Sequence, residues 1–205
     1  MLTAFTAGLL LITVSELGDK TFFIAAILAM RHSRRLVFAG AIAALAAMTI
    51  LSVILGQAVS LLPKLYVYYA EIVLFIAFGL KLLYDARKMP AKPCGDEAEE
   101  ALEVVQKAEA KIRHKQSKLA VVMKTFVMTF VAEWGDRTQF ATIGLAAGYN
   151  AFGVTAGAIL GHGVCAAIAV TCGKLIAKRI SERNLTTIGG ILFLLFALVS
   201  YIEGV

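Results

Sequence analysis

Six long apolar runs, at residues 2–30, 36–62, 66–86, 119–147, 151–177 and 185–202, decide most of what this chain can fold into. Each is close to or above the roughly 20 residues that a helix needs to cross a hydrocarbon core. In lipid a backbone has no water to bond, so each run must satisfy its own N–H and C=O groups and is expected to be helical. Composition agrees, since 60% of the 205 residues are hydrophobic, against about 45–50% in an ordinary soluble domain. Pro63 and Pro90 fall at run ends, where a missing N–H does little harm. The expected fold is an all-α integral membrane protein with six transmembrane helices.

The net charge of +6 does not point to nucleic acid, because the basic residues sit mainly in the gaps between runs. Arg31, Arg34 and Arg35 follow the first run, and only Lys64 follows the second. Eight Lys or Arg follow the third run, and Gly148, Tyr149 and Asn150 after the fourth include none. Lys174, Lys178, Arg179 and Arg183 mark the end of the fifth. Basic and non-basic gaps alternate, which puts the first, third and fifth in the cytoplasm and both termini outside. No Lys or Arg precedes Lys20, and Glu16 and Asp19 interrupt the first run. That run is expected to be a retained span rather than a cleaved signal. Cys94, Cys165 and Cys172 offer no pairing framework, and the latter two are expected to be small buried residues.

The chain also repeats itself. Glu16-Leu-Gly-Asp-Lys-Thr21 returns as Glu133-Trp-Gly-Asp-Arg-Thr138, an offset of 117 residues. The same offset pairs Gly40 with Gly157, Ala41 with Ala158, Ile42 with Ile159 and Gly56 with Gly173. After a one-residue slip, Phe75 pairs with Phe193, Phe78 with Phe196 and Asp85 with Glu203. Three crossings per copy invert the second copy relative to the first. The organisation expected is two inverted three-helix repeats, residues 1–88 and 119–205, joined by a cytoplasmic linker at 89–118. The linker is acidic first (Asp96, Glu97, Glu99, Glu100, Glu103) and basic later (Lys111, Arg113, Lys115, Lys118). Ala98, Leu102, Val105 and Ile112 lie near helical spacing, so a short amphipathic helix is compatible, although a solvated connection is the simpler expectation.

The acids of the repeated motif carry the chemistry. Read as helix, Glu16 and Asp19 lie one turn apart on one face, as do Glu133 and Asp136. All four fall near the middle of apolar runs, where an Asp costs about 2.5–3.5 kcal/mol. A pseudo-two-fold axis would gather them at one depth, near Lys20 and Arg137. The plain alternative is a set of ion pairs that holds a bundle together. The same six-residue string at matched depth in both copies argues instead for a site. Oxygen-rich carboxylates suit hard divalent cations such as Mn2+, Ca2+ and Mg2+. When the cation leaves, the crowded acids would take up protons in coupled steps. Gly18 and Gly135 allow either close helix approach or a local break that exposes carbonyl ligands. Thr21, Thr138 and Gln139 could add neutral oxygens, or the threonines could bond back to their own helices.

Other features are weaker. Gly153, Gly157 and Gly161, matched in part by Gly40 and Ala44, suit either tight packing or sliding of one repeat past the other. His162 pairs with Leu45 in the repeat, so a buried polar contact is expected there rather than a proton relay. Glu71, opposite Gly189, is expected near the outer interface. Lys81 and Lys174 are expected to snorkel toward the cytoplasm.

Two copies of Glu-x-Gly-Asp-(Lys/Arg)-(Ser/Thr), one per three-helix half with a cytoplasmic loop between, resemble a known family. It is the family of small bacterial, Golgi and chloroplast Mn2+/Ca2+ transporters in the cation/Ca2+ exchanger superfamily, and the resemblance covers nearly the whole chain. It implies that Glu16, Asp19, Glu133 and Asp136 bind the transported cation and that protons drive the exchange. It also implies manganese export at a bacterial inner membrane, with no permanently bound cofactor. The partners expected are the cation, protons and the bilayer, with no nucleic acid, and the oligomeric state is open, a homodimer included. A passive cation channel is the competing transport reading, since acidic rings also select cations. An intramembrane aspartyl protease is the enzyme reading. Those use Gly-x-Gly-Asp, and here Glu16 and Glu133 replace the first glycine, so no enzyme is expected.

Overall fold

The structure, a computed structural model, describes residues 1–89, 96–110, 117–179 and 181–203, apart from the side chains at 96, 97, 109, 110, 173–179, 182 and 203. The apolar runs are helical, and among the described residues there is no strand. In chain order the helices are α1 Leu2–Glu16, α2 Lys20–Arg31, α3 Arg34–Val59, α4 Lys64–Lys88, α5 Asp96–Ala110, α6 Lys118–Ala132, α7 Arg137–Gly148, α8 Ala151–Arg179 and α9 Glu182–Glu203. Four stretches are long and apolar enough to cross a membrane: Arg34–Val59, Lys64–Lys88, Ala151–Cys172 and Arg183–Ile202. Pro90, Cys94, Lys111, Ile112, Arg113 and Lys115 lie outside the described residues, as do the side chains of Gly173, Lys174 and Glu203.

Two expected spans are not continuous helices. Run 2–30 divides into α1 and α2, and run 119–147 into α6 and α7. At about 1.5 Å per residue, fifteen- and twelve-residue helices are too short to cross about 30 Å of hydrocarbon alone. The cause of the break is local. Gly18 and Gly135 both have φ 81°, a conformation that costs an L side chain about 1–2 kcal/mol. Leu17, at φ −65° and ψ 112°, together with Gly18 forms a type II β-turn over residues 16–19. The Asp19 N–H closes it onto the Glu16 carbonyl at 3.2 Å, and Asp136 N–H to Glu133 carbonyl repeats the bond at 3.2 Å. The three-residue spacing of each acid pair is thus the spacing of a turn, and the expectation of one helical face is corrected.

Helix pairing crosses between the halves. α1 packs on α8 as α6 packs on α3, α2 packs on α8 as α7 packs on α3, and α4 packs on α9. The glycine stripe serves close approach. A Cβ at Gly157 would run into the Phe5 carbonyl oxygen, and one at Gly153 would stand 2.8 Å from both the Met1 carbonyl and the Ala4 Cβ. Gly40 meets Val122 and Thr125 of α6 in the corresponding way. Phe75 and Phe193, matched by the repeat, touch edge to face with centroids 5.9 Å apart.

Two apolar cores flank the breaks. One gathers Phe22, Ile24, Leu28, Val37, Val121 and Ala166, and the other Leu11, Phe75, Leu145, Val154 and Phe193. Large apolar side chains such as Ile54, Val73, Leu80, Val127 and Leu198 point outward, where lipid would cover them. Within the linker α5 is a helix docked on α2, with Ala101 and Val105 buried in the first core. The inward seam runs from half-buried Ala98 to buried Ala101 and Val105, and Leu102 is exposed, one position round from the face that the spacing predicts. Cys165 is buried, but Cys172 is exposed, lying about 200° round α8 from buried Val170.

Candidate cation site

The breaks put the motif acids at helix ends. Glu16 is the last residue of α1 and Asp19 the N-cap of α2. Glu133 is the C-cap of α6 and Asp136 the N-cap of α7. Carbonyls at the ends of α1 and α6 carry partial negative charge, which favours a cation. Glu16 and Glu133 are each only 2% exposed. One carboxylate oxygen from each of Glu16, Asp19 and Glu133 can be chosen so that all lie within 4.8 Å of one another. Three acids from two separate breaks thus share one spot, although residues 16 and 133 are far apart in the chain.

Asp136 does not belong to that group. Its Oδ2 accepts from the Thr138 N–H at 3.3 Å and from Thr138 Oγ1 at 3.1 Å, the bonding of an ordinary N-cap. Asp19 makes no side-chain cap bond. Its Oδ1 accepts instead from Arg137 Nη2 at 2.7 Å, and the same Nη2 reaches the Ser15 carbonyl at 3.4 Å. The expected gathering of four carboxylates is therefore three plus one: the Asp19 carboxylate pairs with the Arg137 guanidinium, whereas Asp136 caps α7.

The supporting residues resolve in the same way. Thr21 Oγ1 donates to Glu16 Oε2 at 3.1 Å, and Thr138 Oγ1, whose single proton is shared with Asp136 Oδ2, reaches Glu133 Oε2 at 3.3 Å. Each threonine spans its own break rather than bonding back to its helix. Gln139 Oε1 accepts from the Gly135 N–H at 2.8 Å, so this oxygen braces the turn. Lys20 donates to Glu100 of α5 at 2.7 Å, a partner that the sequence did not single out from the linker's acidic stretch.

What remains unsatisfied is informative. Glu16 Oε1 and Glu133 Oε1 are buried and make no hydrogen bond, as are Thr129 Oγ1, Thr13 Oγ1 and His162 Nδ1. Buried polar atoms are paired in the great majority of cases, so this group is short of a partner. A cavity of about 10 Å3, room for one water-sized species, is lined by Glu16, Thr21, Leu45, Thr129 and Cys165 among others. Two partnerless carboxylate oxygens with a third acid beside them fit a hard divalent ion.

Glu71 is buried between helices. It accepts from Ser200 Oγ at 3.2 Å and backs onto Gly144 and Gly148 of α7, where a Cβ at Gly148 would meet its Oε2. A second cavity, lined by Ser15, Gly18, Met89, Arg137 and Leu185, opens beside the first break.

The family model described as divalent cation/proton antiporter GDT1 matches residues 4–90 and 121–205, leaving out most of the linker. A GDT1-like protein of Synechocystis is 60% identical over 98% of this chain and 98% of its own length. GDT1-like protein 3 of Oryza sativa subsp. indica is 45% identical over 97% of this chain and 73% of its own. The chloroplastic PAM71-homolog of Arabidopsis thaliana is 41% identical over 97% of this chain and 59% of its own. No solved structure matches. With nearly all of the chain outside the linker matched, the protease reading falls away: the chain belongs to the GDT1 family of divalent cation/proton antiporters, and it is a membrane transporter rather than an enzyme.

Proposed function

We propose that this protein exports a divalent cation, Mn2+ first and Ca2+ second, from the cytoplasm of a bacterium across its inner membrane in exchange for protons. The observation that carries this reading is the meeting of Glu16, Asp19 and Glu133 within 4.8 Å, with two buried oxygens among them lacking partners. Mn2+ takes first place from the resemblance to manganese exporters.

The proposed architecture is six crossings in two inverted repeats, residues 1–88 and 119–205, with both termini outside and residues 89–118 as the cytoplasmic linker. The stacked pairs α1–α2 and α6–α7 would each make one broken crossing beside α3, α4, α8 and α9. The reciprocal helix pairing and the meeting of Phe75 with Phe193 support an axis between α4 and α9. Broken helices at a midplane site are common in secondary transporters.

In the proposed cycle the cation reaches the site through the cytoplasmic side. The cavity beside the first break is lined in part from the end of α4 and the start of α9, and the one beside Glu16 in part from α2 and α3, parts that the basic gaps would put inside. Glu16, Asp19 and Glu133 replace its water, and Asp136 stays beside them as the cap of α7. Thr21 and Thr138 orient the glutamates, and Gln139 braces the second turn. Arg137 and Lys20 offset the charge of the empty cluster. The repeats then rock, protons take the carboxylates outside, and the protonated form returns.

Purified protein in proteoliposomes with an imposed pH gradient tests this. Mn2+ moving uphill against proton flow, and lost in Glu133→Gln, is the expected result. Strictly downhill flux would favour a channel, and absence of any divalent flux with folded protein would overturn the reading.

A further inference from the structure

One polar cluster lies on the side of Glu16 that faces α8. Glu16 Oε2 is occupied by Thr21, but Oε1 stands 4.0 Å from His162 Nδ1. Neither atom has a hydrogen-bond partner, and neither does Thr13 Oγ1, one turn before Glu16 on α1. His162 is 4% exposed and lies on α8, where that helix packs on α1. Its neighbour Gly161 lets α8 approach so closely that an added Cβ would stand 3.0 Å from Thr13 Oγ1.

The distance itself is diagnostic. At 4.0 Å the pair is beyond hydrogen-bond reach, which ends near about 3.5 Å. Two ligands with donor bonds of about 2.0–2.6 Å to one ion stand roughly 3–5 Å apart. An ion shared by Oε1 and Nδ1 would satisfy both atoms without moving either helix. The pair also has no role that the repeat requires. By the 117-residue offset, Thr13 corresponds to Phe130 and His162 to Leu45, so the second copy carries apolar residues at both positions.

We infer that His162 is a nitrogen ligand of the transported cation, acting with Glu16 Oε1, and that it sets the preference for a transition metal over Ca2+. This rests on the proposed cation site. Imidazole nitrogen suits first-row transition metals, whereas Ca2+ and Mg2+ take oxygen. His162 lies outside the three-carboxylate group, so Glu16 is the residue common to the acid cluster and the nitrogen. A site of oxygens alone would separate Mn2+ from Ca2+ by cavity size and rigidity, whereas one nitrogen donor adds a chemical distinction.

The test loads purified wild type, His162→Leu and His162→Gln with Mn2+ and records pulsed EPR, with Mn2+ and Ca2+ affinities measured by calorimetry. Wild type should show the hyperfine coupling of one directly bound 14N, and both variants should lose it while still binding Mn2+. The ratio of Mn2+ to Ca2+ affinity should fall by about 10-fold or more in each. Thermal melts without metal check that the variants fold, and His162→Gln keeps a polar side chain of similar reach should His162→Leu fail. Bound Mn2+ with no 14N coupling, or coupling that survives both substitutions, overturns the role of His162 and leaves the proposed transport intact. No Mn2+ binding by folded wild type overturns both.

Discussion

In the first motif Asp19 leaves the start of α2 to accept from Arg137, a residue 118 positions away. In the second, Asp136 stays on α7 and caps it through Thr138. Lys20, the counterpart of Arg137, reaches Glu100 of α5 instead of Asp136. The turns, the glycines and the Thr–Glu bonds are the same in both copies. The turn is therefore the inherited part, and the charge partners are where the halves differ. These charge partners are the contacts that differ between the two motifs.

The largest break in the comparison would come from the acids. Glu16→Gln or Glu133→Gln should abolish transport and weaken Mn2+ binding by more than the roughly 10–100-fold that second-shell changes cost. Calorimetry reads the second effect. Asp19→Asn should do the same, whereas Asp136→Asn keeps a good cap and should retain measurable binding even where transport is lost. Equal loss of binding in the two Asp variants would mean that Asp136 joins the ion directly and that its place outside the cluster is unimportant.

Arg137→Ala comes next. It removes the guanidinium bonded to the Asp19 carboxylate, which is 11% exposed. Breaking a fully buried pair costs about 3–5 kcal/mol, and the 25% exposure of Arg137 should bring the loss below that range. Melting in detergent measures it, and no loss would remove this pair as a structural tie. Gly135→Ala isolates the turn, since no atom lies within 4 Å of the added Cβ. Strain at φ 81° should cost about 1–2 kcal/mol. Gly18→Ala should cost more, because Leu185 Cδ1, at 2.7 Å, must also move. A neutral Gly135→Ala would mean that the break does not depend on the left-handed residue.

The smallest effect belongs to the exposed latch. Lys20 and Glu100 are 31% and 60% exposed, so Glu100→Gln should change stability by about 1 kcal/mol or less, and less again in high salt. Lys20→Arg should be milder in transport than Lys20→Ala. Equal transport in those two variants would show that the charge of Lys20 is not what matters.

The sequence by itself determined the helical membrane class, the location of the long helices, the duplicated motif and the identity of the acids. Hydropathy and backbone satisfaction in lipid act along the chain, within a window of some twenty residues, and a repeated string needs no coordinates. It also contained the glycines that break the first and fourth runs, but a Gly in an apolar run fits a packed helix as well as a turn. Only the tertiary structure decided between them, by packing α1 on α8 and α6 on α3 so that the chain must step aside at residues 17–19 and 134–136. The same holds for Arg137 crossing to Asp19, for α5 presenting Glu100 to Lys20, and for His162 facing Glu16. These contacts join residues 80 or more positions apart and depend on how each helix is rotated about its own axis. That rotation follows from the fit of whole helix surfaces, which no local window of the sequence contains.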